Sequence, residues 1–314
     1  MRILITGGAG FIGSHVADAL LAAGHEVAIV DDLSTGRREN VPPAAVFHHG
    51  DICDGAFLQK VFDEFAPEIV SHQAAQTSVS ISTREPRRDA HINVIGSIEL
   101  LSQCVRKRVE RVVYASTGGA VYGDVPEDRR AGVDDTPANP LSPYACSKFA
   151  VECYLRAYGF EHGLRFNVLR YANVYGPRQD PHGEAGVVAI FAQRMLAGEP
   201  IQINARRTPG DAGCVRDYVY VGDVVRYNVA AVGGAVDEPI VNVCTGEGTA
   251  TRDLALALAK VAGLEPELRT APRRSGDVER SVLQAGPLAQ RIAPTALDEG
   301  LRATLDWFRA RDRR

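Results

Sequence analysis

Along its first half the chain alternates short runs of β-type apolar residues with longer stretches whose apolar positions recur at helical spacing. Strand candidates are residues 2–6, 26–30, 46–49, 69–71, 112–115 and 166–169. Between them, residues 11–23, 55–65, 89–107 and 143–162 read as amphipathic helices. In 89–107, Ile92, Ile95, Ile98, Leu101 and Val105 fall largely on one face, the face expected to be buried. Strands alternating with helices predict a doubly wound parallel sheet of the α/β class.

The second half is less regular. Glycine- and proline-rich stretches at 176–183 and 206–213 are too long and polar for tight turns, and such loops often line sites. Helical patterns at 251–262 and 296–310 predict a smaller, mostly helical C-terminal lobe. A first domain over 1–175, with a return of the chain around 214–245, and a second over 176–314 are expected.

Composition narrows the function classes. The 314 residues are 45% hydrophobic and 24% charged, an ordinary globular balance. A net charge of −4 lacks the basic field that nucleic acid requires. The arginine-rich spots at 106–111 and in the tail read as solvated faces. No apolar span and no leader pattern occurs, which predicts neither membrane crossing nor export. The six cysteines are scattered without a Cys-x-x-Cys pair, as reduced thiols of a cytoplasmic protein would be. No metal site is expected, the His48-His49 pair reading as a strand end.

The first strand runs directly into Thr6-Gly7-Gly8-Ala9-Gly10-Phe11-Ile12-Gly13, which opens a helix. Glycines here let the backbone turn tightly and approach a pyrophosphate, which would sit at the positive helix N-terminus. Asp31 follows the second strand, placed to accept from ribose hydroxyls and to repel a 2′-phosphate. NAD is therefore expected over NADP, with Arg37 and Arg38 the features that argue the other way. Asp51-Ile52, after the third strand, either meets the adenine edge or caps the next helix.

Tyr144 and Lys148 lie four apart, on one face of a helix. With ten tyrosines and four lysines in the chain, chance supplies about 0.1 such pair. A phenol is a poor base at neutral pH, and a nearby ammonium favours its ionised form.

Gly7–Gly13, Asp31, His72-Gln73-Ala74-Ala75, Asn93, the stretch 116–123 and Tyr144/Lys148 together resemble the extended short-chain dehydrogenase/reductase superfamily. The runs 170–179 (RYANVYGPRQ), 215–224 (VRDYVYVGDV) and 274–277 (RSGD) are similar to its UDP-galactose 4-epimerase branch. The resemblance spans essentially the whole chain. It implies a Rossmann-type fold, bound NAD, and C4 epimerisation of a UDP-sugar through a 4-keto intermediate. Tyr144 is then the base and Lys148 holds the nicotinamide ribose. Asp32, Ala74, Ala75, Gln76, Asn93, Ser116 and Tyr171 join Gly7, Gly10, Phe11, Ile12, Gly13, Asp31, Asp51 and Ile52 as cofactor residues. A homodimer built on the helices at 89–107 and 143–162 is also implied.

One position departs from the family. Its members carry Ser or Thr five residues before the glycine of Val-Tyr-Gly, and here that residue is Gly118. Thr117 is expected to supply the hydroxyl, the alternative being that it merely ends a strand. Dehydratases carry Asp-Glu just before Val-Tyr-Gly and decarboxylases Glu, whereas this chain has Gly119-Ala120, so both chemistries lack their acid.

On the substrate side, the resemblance assigns the diphosphate and ribose to Arg216 and Arg274, the sugar–phosphate end to Asn173, and the uridine ribose to Asp277. Arginine suits a diphosphate because its planar N–H groups pair with two oxygens. Arg216 lies in an apolar run and needs a partner, for which Asp217 and Asp223 are alternatives to substrate. Ser281 stands where the family limits room beside the sugar's C2, and its small size predicts acceptance of N-acetylated sugars. UDP-glucuronate 4-epimerisation, another nucleotide-sugar oxidoreductase on the same scaffold and a non-catalytic NAD-binding sensor are the competing expectations.

Overall fold

The computed structural model describes residues 1–181, 186–274 and 276–311. Residues 182–183 of the loop after Tyr175, Ser275, and Arg313 and Arg314 of the tail lie outside the described residues.

Strands β1 (Arg2–Thr6), β2 (Glu26–Asp31), β3 (Val46–His49), β4 (Ile69–His72), β5 (Arg111–Thr117) and β6 (Arg165–Tyr171) stand where the apolar runs placed them. With α1 (Phe11–Ala22), α2 (Gly55–Phe65), α3 (Val79–Arg84), α4 (Pro86–Ala90), α5 (Gly96–Arg106), α6 (Gly118–Val121) and α7 (Pro143–His162) they build the first half. Then come β7 (Asn173–Tyr175), α8 (Val187–Leu196), β8 (Ile201–Asn204), β9 (Val215–Tyr220), α9 (Val221–Val232) and β10 (Ile240–Val243). The chain closes with β11 (Gly248–Ala250), α10 (Thr251–Ala262), β12 (Leu268–Ala271), β13 (Arg280–Ser281) and α11 (Leu297–Arg311).

A seven-stranded sheet has the order β10-β6-β5-β4-β1-β2-β3. The pairings from β3 through β2, β1 and β4 to β5 are parallel. Order 3-2-1-4-5-6 is the Rossmann winding, in which ligands gather beyond the carboxyl ends of the strands where the winding reverses. Here that reversal falls between β1 and β4. Ile3, Leu4 and Ile5 of β1 are fully buried, as expected for a strand covered on both faces.

Local signals set the helix ends. Asp54 caps α2, accepting from the N–H groups of Ala56 and Phe57. Ser142 caps α7, Pro143 occupies its first turn, and Gly163 ends it in the left-handed conformation. Capping of α2 thus belongs to Asp54 and not to Asp51, whose Oδ1 accepts from Cys53 N two residues on.

The single helix expected over 89–107 is instead two helices, α4 and α5, joined by a π-helical turn, His91–Ile95. A π turn inserts a residue and rotates the helix before it against the helix after it. Asn93 therefore faces inward at 2% exposure, while Ile95, expected on the buried face, is 44% exposed.

The described residues form two compact units interleaved along the chain. The first comprises 1–117, 142–170 and 225–241, and the second 118–141, 171–224 and 242–314. The second unit has its own core, where Val188, Phe191 and Met195 of α8 meet Leu254 and Leu258 of α10 and Leu301, Leu305 and Phe308 of α11. Among the described residues, no helix is long and apolar enough to cross a membrane.

Candidate active site

The turn between β1 and α1 is built for close approach. Gly7 has φ +69°, and a side chain there would meet Ala74 N at 2.6 Å. A Cβ on Gly13 would lie 2.2 Å from the Gly7 carbonyl oxygen. No side chain caps α1 and no acidic residue lies in its first turn, so the helix end at Phe11 and Ile12 keeps its positive character. Such an end, reached by a backbone without side chains, suits a pyrophosphate.

Asp31 ends β2, 7% exposed, with Oδ2 accepting from Ala9 N and Oδ1 from Leu33 N, each at 2.9 Å. Each oxygen keeps a lone pair for a ribose hydroxyl. Arg37 turns to Glu39 at 3.7 Å, and Arg38 lies 4.7 Å over the Phe47 ring. These arginines are engaged elsewhere while the carboxylate stays in place, an arrangement that fits NAD better than NADP. Asp32 is engaged locally, accepting from Ser34 N and Oγ. Ala74 N donates to Thr6 Oγ1 at 3.3 Å, which holds the loop after β4 against the glycine turn. Ile52 is buried beyond β3, beside Gly96.

Tyr144 sits in the first turn of α7, half-buried, and is hydrogen-bonded to the Thr117 hydroxyl at the end of β5. Desolvation, reinforced by the Asp89 charge, pushes its phenol up to about 12, and the Thr117 bond works in the opposite direction. One turn on, Lys148 is 4% exposed, with Nζ 4.4 Å from the centroid of the Tyr114 ring. Burial lowers its ammonium to about 7, opposed by Glu152 and Asp89. Both groups thus depart from their solution values, as acid–base residues do in active sites. Gly118 begins α6 directly after Thr117, and Tyr171 closes β6, 5% exposed.

Behind the pair lies a set of charges that the motifs did not mark. Glu152 is fully buried and takes both Nε and Nη2 of Arg170, the closest contact being 2.6 Å. Ser116 donates to Glu152 Oε1 at 2.5 Å, so its hydroxyl faces this ion pair. Removing one partner of such a pair typically costs about 3–5 kcal/mol. The spacing of Lys148 and Glu152, four apart on one helix, was the available signal. Asn93 is equally engaged: its Oδ1 accepts from Gln76 N at 2.8 Å, and its Nδ2 lies 3.1 Å from both Asp89 Oδ1 and Ser147 Oγ. His72, the last residue of β4, is buried between Thr6 Oγ1 and Ser97 Oγ, and burial holds it neutral, at about 3.

In the second unit, three residues far apart in sequence share one small sheet. Asn173 pairs with Tyr218 between β7 and β9, and Ser281 pairs with Arg216 between β13 and β9. Residues 216 and 218 point to the same side of β9, so Asn173, Arg216 and Ser281 occupy one face. Neither expected carboxylate neutralises Arg216. Asp217 accepts from Thr245 and Gly246, and Asp223 from Thr295. The Arg216 guanidinium donates to its neighbour's carbonyl, Val215 O, at 3.0 Å. Arg274 is exposed and Asp277 half-buried, on the segment between β12 and β13.

A Rossmann sheet, a glycine turn with an acid on the next strand, and a Tyr–Lys pair on one helix define a dinucleotide-dependent enzyme of the short-chain dehydrogenase/reductase type. The chain belongs to the NAD dependent epimerase/dehydratase family, whose model matches residues 3–244. It is 44% identical to a UDP-glucose 4-epimerase of Mycolicibacterium smegmatis, across 98% of this chain and 99% of that protein. The crystal structure of a Thermus thermophilus UDP-glucose 4-epimerase in complex with NAD is similar at a TM-score of 0.94 and 54% identity, covering 98% of this chain and 99% of that one. A UDP-glucose 4-epimerase of Thermotoga maritima, solved with UDP-glucose, is similar at a TM-score of 0.93 and 44% identity, covering 99% of each chain.

Proposed function

We propose that this chain is an NAD-dependent UDP-sugar 4-epimerase that interconverts UDP-galactose and UDP-glucose through a transient 4-keto sugar. The observation that carries the reading is Tyr144 hydrogen-bonded to Thr117, with Lys148 one turn behind it. Tyr144 takes the proton of the sugar 4-hydroxyl and returns it after the keto sugar has presented its other face. Thr117 fills the role left open at Gly118, donating to the phenolate as it forms. Lys148 holds the nicotinamide ribose and stabilises that phenolate. NAD, when bound, accepts the C4 hydride and gives it back. The glycine turn, the open end of α1 and Asp31 are the residues that would hold it.

On the substrate side, Arg216 and Arg274 take the diphosphate, Asn173 the sugar–phosphate end and Asp277 the uridine ribose. Gly119-Ala120 supplies no acid for dehydration or decarboxylation. Ser281 favours a second acceptance, of UDP-N-acetylglucosamine, because a small residue beside C2 leaves room for the N-acetyl group. A homodimer through α5 and α7 completes the reading; Ile95 before α5 and Tyr154 on α7 are 44% and 40% exposed.

The test is incubation of the purified protein with UDP-galactose and no added cofactor, followed by the anomeric proton signals in NMR. UDP-glucose appearing to equilibrium supports the reading and the retention of NAD. No conversion of UDP-galactose, UDP-N-acetylglucosamine or UDP-glucuronate, with NAD added, transfers the case to the non-catalytic NAD-binding sensor.

A further inference from the structure

Asp89 carries a buried charge that neither the motif pattern nor the roles above account for. It lies near the end of α4 and is 1% exposed. Its Oδ1 accepts from Gln76 Nε2 at 2.7 Å and Asn93 Nδ2 at 3.1 Å, both neutral amides. Its Oδ2 is buried with no hydrogen-bond partner. A desolvated carboxylate held by amides alone is expensive to keep, and a well-packed apolar residue would be more stable. Such a group retained beside a Tyr–Lys pair is a candidate for function.

Its hydrogen bonds lead to that pair. Gln76 Nε2 also donates to Ser78 O at 3.0 Å, and Gln76 N donates to Asn93 Oδ1 at 2.8 Å, which shapes the loop after β4. Asn93 Nδ2 reaches Ser147 Oγ at 3.1 Å, and Ser147 Oγ donates to Tyr144 O at 2.9 Å. The π-helical turn is what places Asn93 between the two. Asp89 thus anchors a chain of contacts running from the loop to the turn of α7 that carries Tyr144.

The ionisable groups facing Asp89 are Tyr144 and Lys148 on α7 and Tyr114 on β5, with Glu152 acting on Lys148 from the next turn. Arg84, Glu85, Arg87, Arg88 and His91, on its own and adjoining turns, are all exposed. Burial is the larger influence on both members of the pair. The Asp89 charge adds to it at Tyr144, opposing the phenolate, and counters it at Lys148, favouring the ammonium.

We propose that Asp89 is a positioning residue of the catalytic pair: it ties the loop after β4 to the Tyr144 turn through Gln76, Asn93 and Ser147, and it sets one buried negative charge behind Tyr144 and Lys148. The role rests on the reading of Tyr144 as the base. Its consequence is specific. The active combination, phenolate with ammonium, needs one group ionised and the other protonated, so its two pH limits belong to the Tyr144–Lys148 pair as a whole. Removing the negative charge lets each group release its proton earlier, so both limits move to lower pH.

The experiment compares wild type with Asp89→Asn, which keeps the shape and removes the charge. Two readouts are used: the pH profile of kcat on UDP-galactose, and the tyrosinate absorbance of the NAD-saturated protein, taken as the difference from Tyr144→Phe. Both limbs of the profile and the tyrosinate signal should move to lower pH by about one unit, with KM little changed. Asp89→Glu, which retains the charge, should keep the wild-type profile. A merely structural role would lower kcat without moving either signal, and that result overturns the proposal. So does an equal shift in Asp89→Glu and Asp89→Asn. Should Asp89→Asn not fold, Asp89→Ser serves instead: it also removes the charge and must move the tyrosinate signal to lower pH, and no movement overturns the proposal. The absorbance titration needs no turnover, so it separates failure here from failure of the epimerase reading.

Discussion

Arg216 and Ser281 stand side by side on adjacent parallel strands, β9 and β13, and their side chains share one face. Ser281 is 1% exposed and its hydroxyl has no hydrogen-bond partner; in the proposed function it contributes its small volume. Ser281→Tyr should reduce turnover of UDP-N-acetylglucosamine at least about tenfold relative to UDP-galactose, since a tight pocket discriminates by volume. Arg216→Ala should instead raise KM about tenfold to a hundredfold for both sugars, through loss of charge-assisted bonds to the diphosphate. Parallel steady-state kinetics on the two substrates separate these outcomes, and equal losses in Ser281→Tyr would refute the specificity role.

The bond from Thr117 to Tyr144 makes a prediction of opposite sign to that for Asp89. A hydroxyl donating to a phenolate stabilises it, and Thr117 lowers the Tyr144 pKa. Thr117→Ala should therefore move the tyrosinate absorbance of Tyr144 to higher pH and lower kcat about tenfold to a hundredfold. Thr117→Ser should restore both. Near-full turnover in the alanine variant would remove Thr117 from the mechanism.

Gly13→Ala tests the cofactor site without reference to catalysis. The added methyl would lie 2.2 Å from the Gly7 carbonyl oxygen, a backbone atom that moves only if the turn opens. NAD retention, read from the absorbance ratio of the purified protein and by release on denaturation, should be lost. Gly286→Ala is the control, since nothing lies within 4 Å of the added atom. NAD retained in Gly13→Ala would place the cofactor elsewhere.

Asp211 ties the loop at 206–213 to itself. It accepts from the backbone N–H groups of Arg206, Arg207, Thr208 and Gly213. Burial alone would raise its pKa, but these four bonds outweigh it and hold the carboxyl well below its usual range. A depressed folded value means that the stabilisation is fully present above the unfolded pKa of about 3.9 and is lost as pH falls below it. Thermal unfolding followed from pH 7 downward should show wild type losing stability below about pH 4. Asp211→Asn should lie lower at neutral pH and have a flatter slope in the acid range. Parallel curves would show that the four bonds add nothing beyond those made in the unfolded chain.

How much is legible in the sequence depends on how far apart the interacting residues lie in it. β1, α1 and β2 follow from an apolar run, a glycine turn and another apolar run, because each is a local choice of backbone. The same locality exposes Asp31 at a strand end and the Tyr144–Lys148 spacing on one helical face. Residues 89–107 read as one helix because 3.6-residue periodicity has no marker for an inserted π turn. The segment 118–141 carries nothing local that assigns it to the second unit, and the contacts that tie it there include partners more than a hundred positions away, as between Val125 N and Arg280 O.

Length and pattern alone thus determined a doubly wound α/β protein with a glycine-turn cofactor site and a Tyr–Lys pair, since sheet winding and helix faces are written in periodicity. Only the tertiary structure set Thr117 against Tyr144, aligned Asn173, Arg216 and Ser281 on one face, and buried Asp89 with a single pair of amides. Those relations come from strand register and helix packing, which bring together groups tens to hundreds of residues apart, and from desolvation, which no single stretch of sequence can encode.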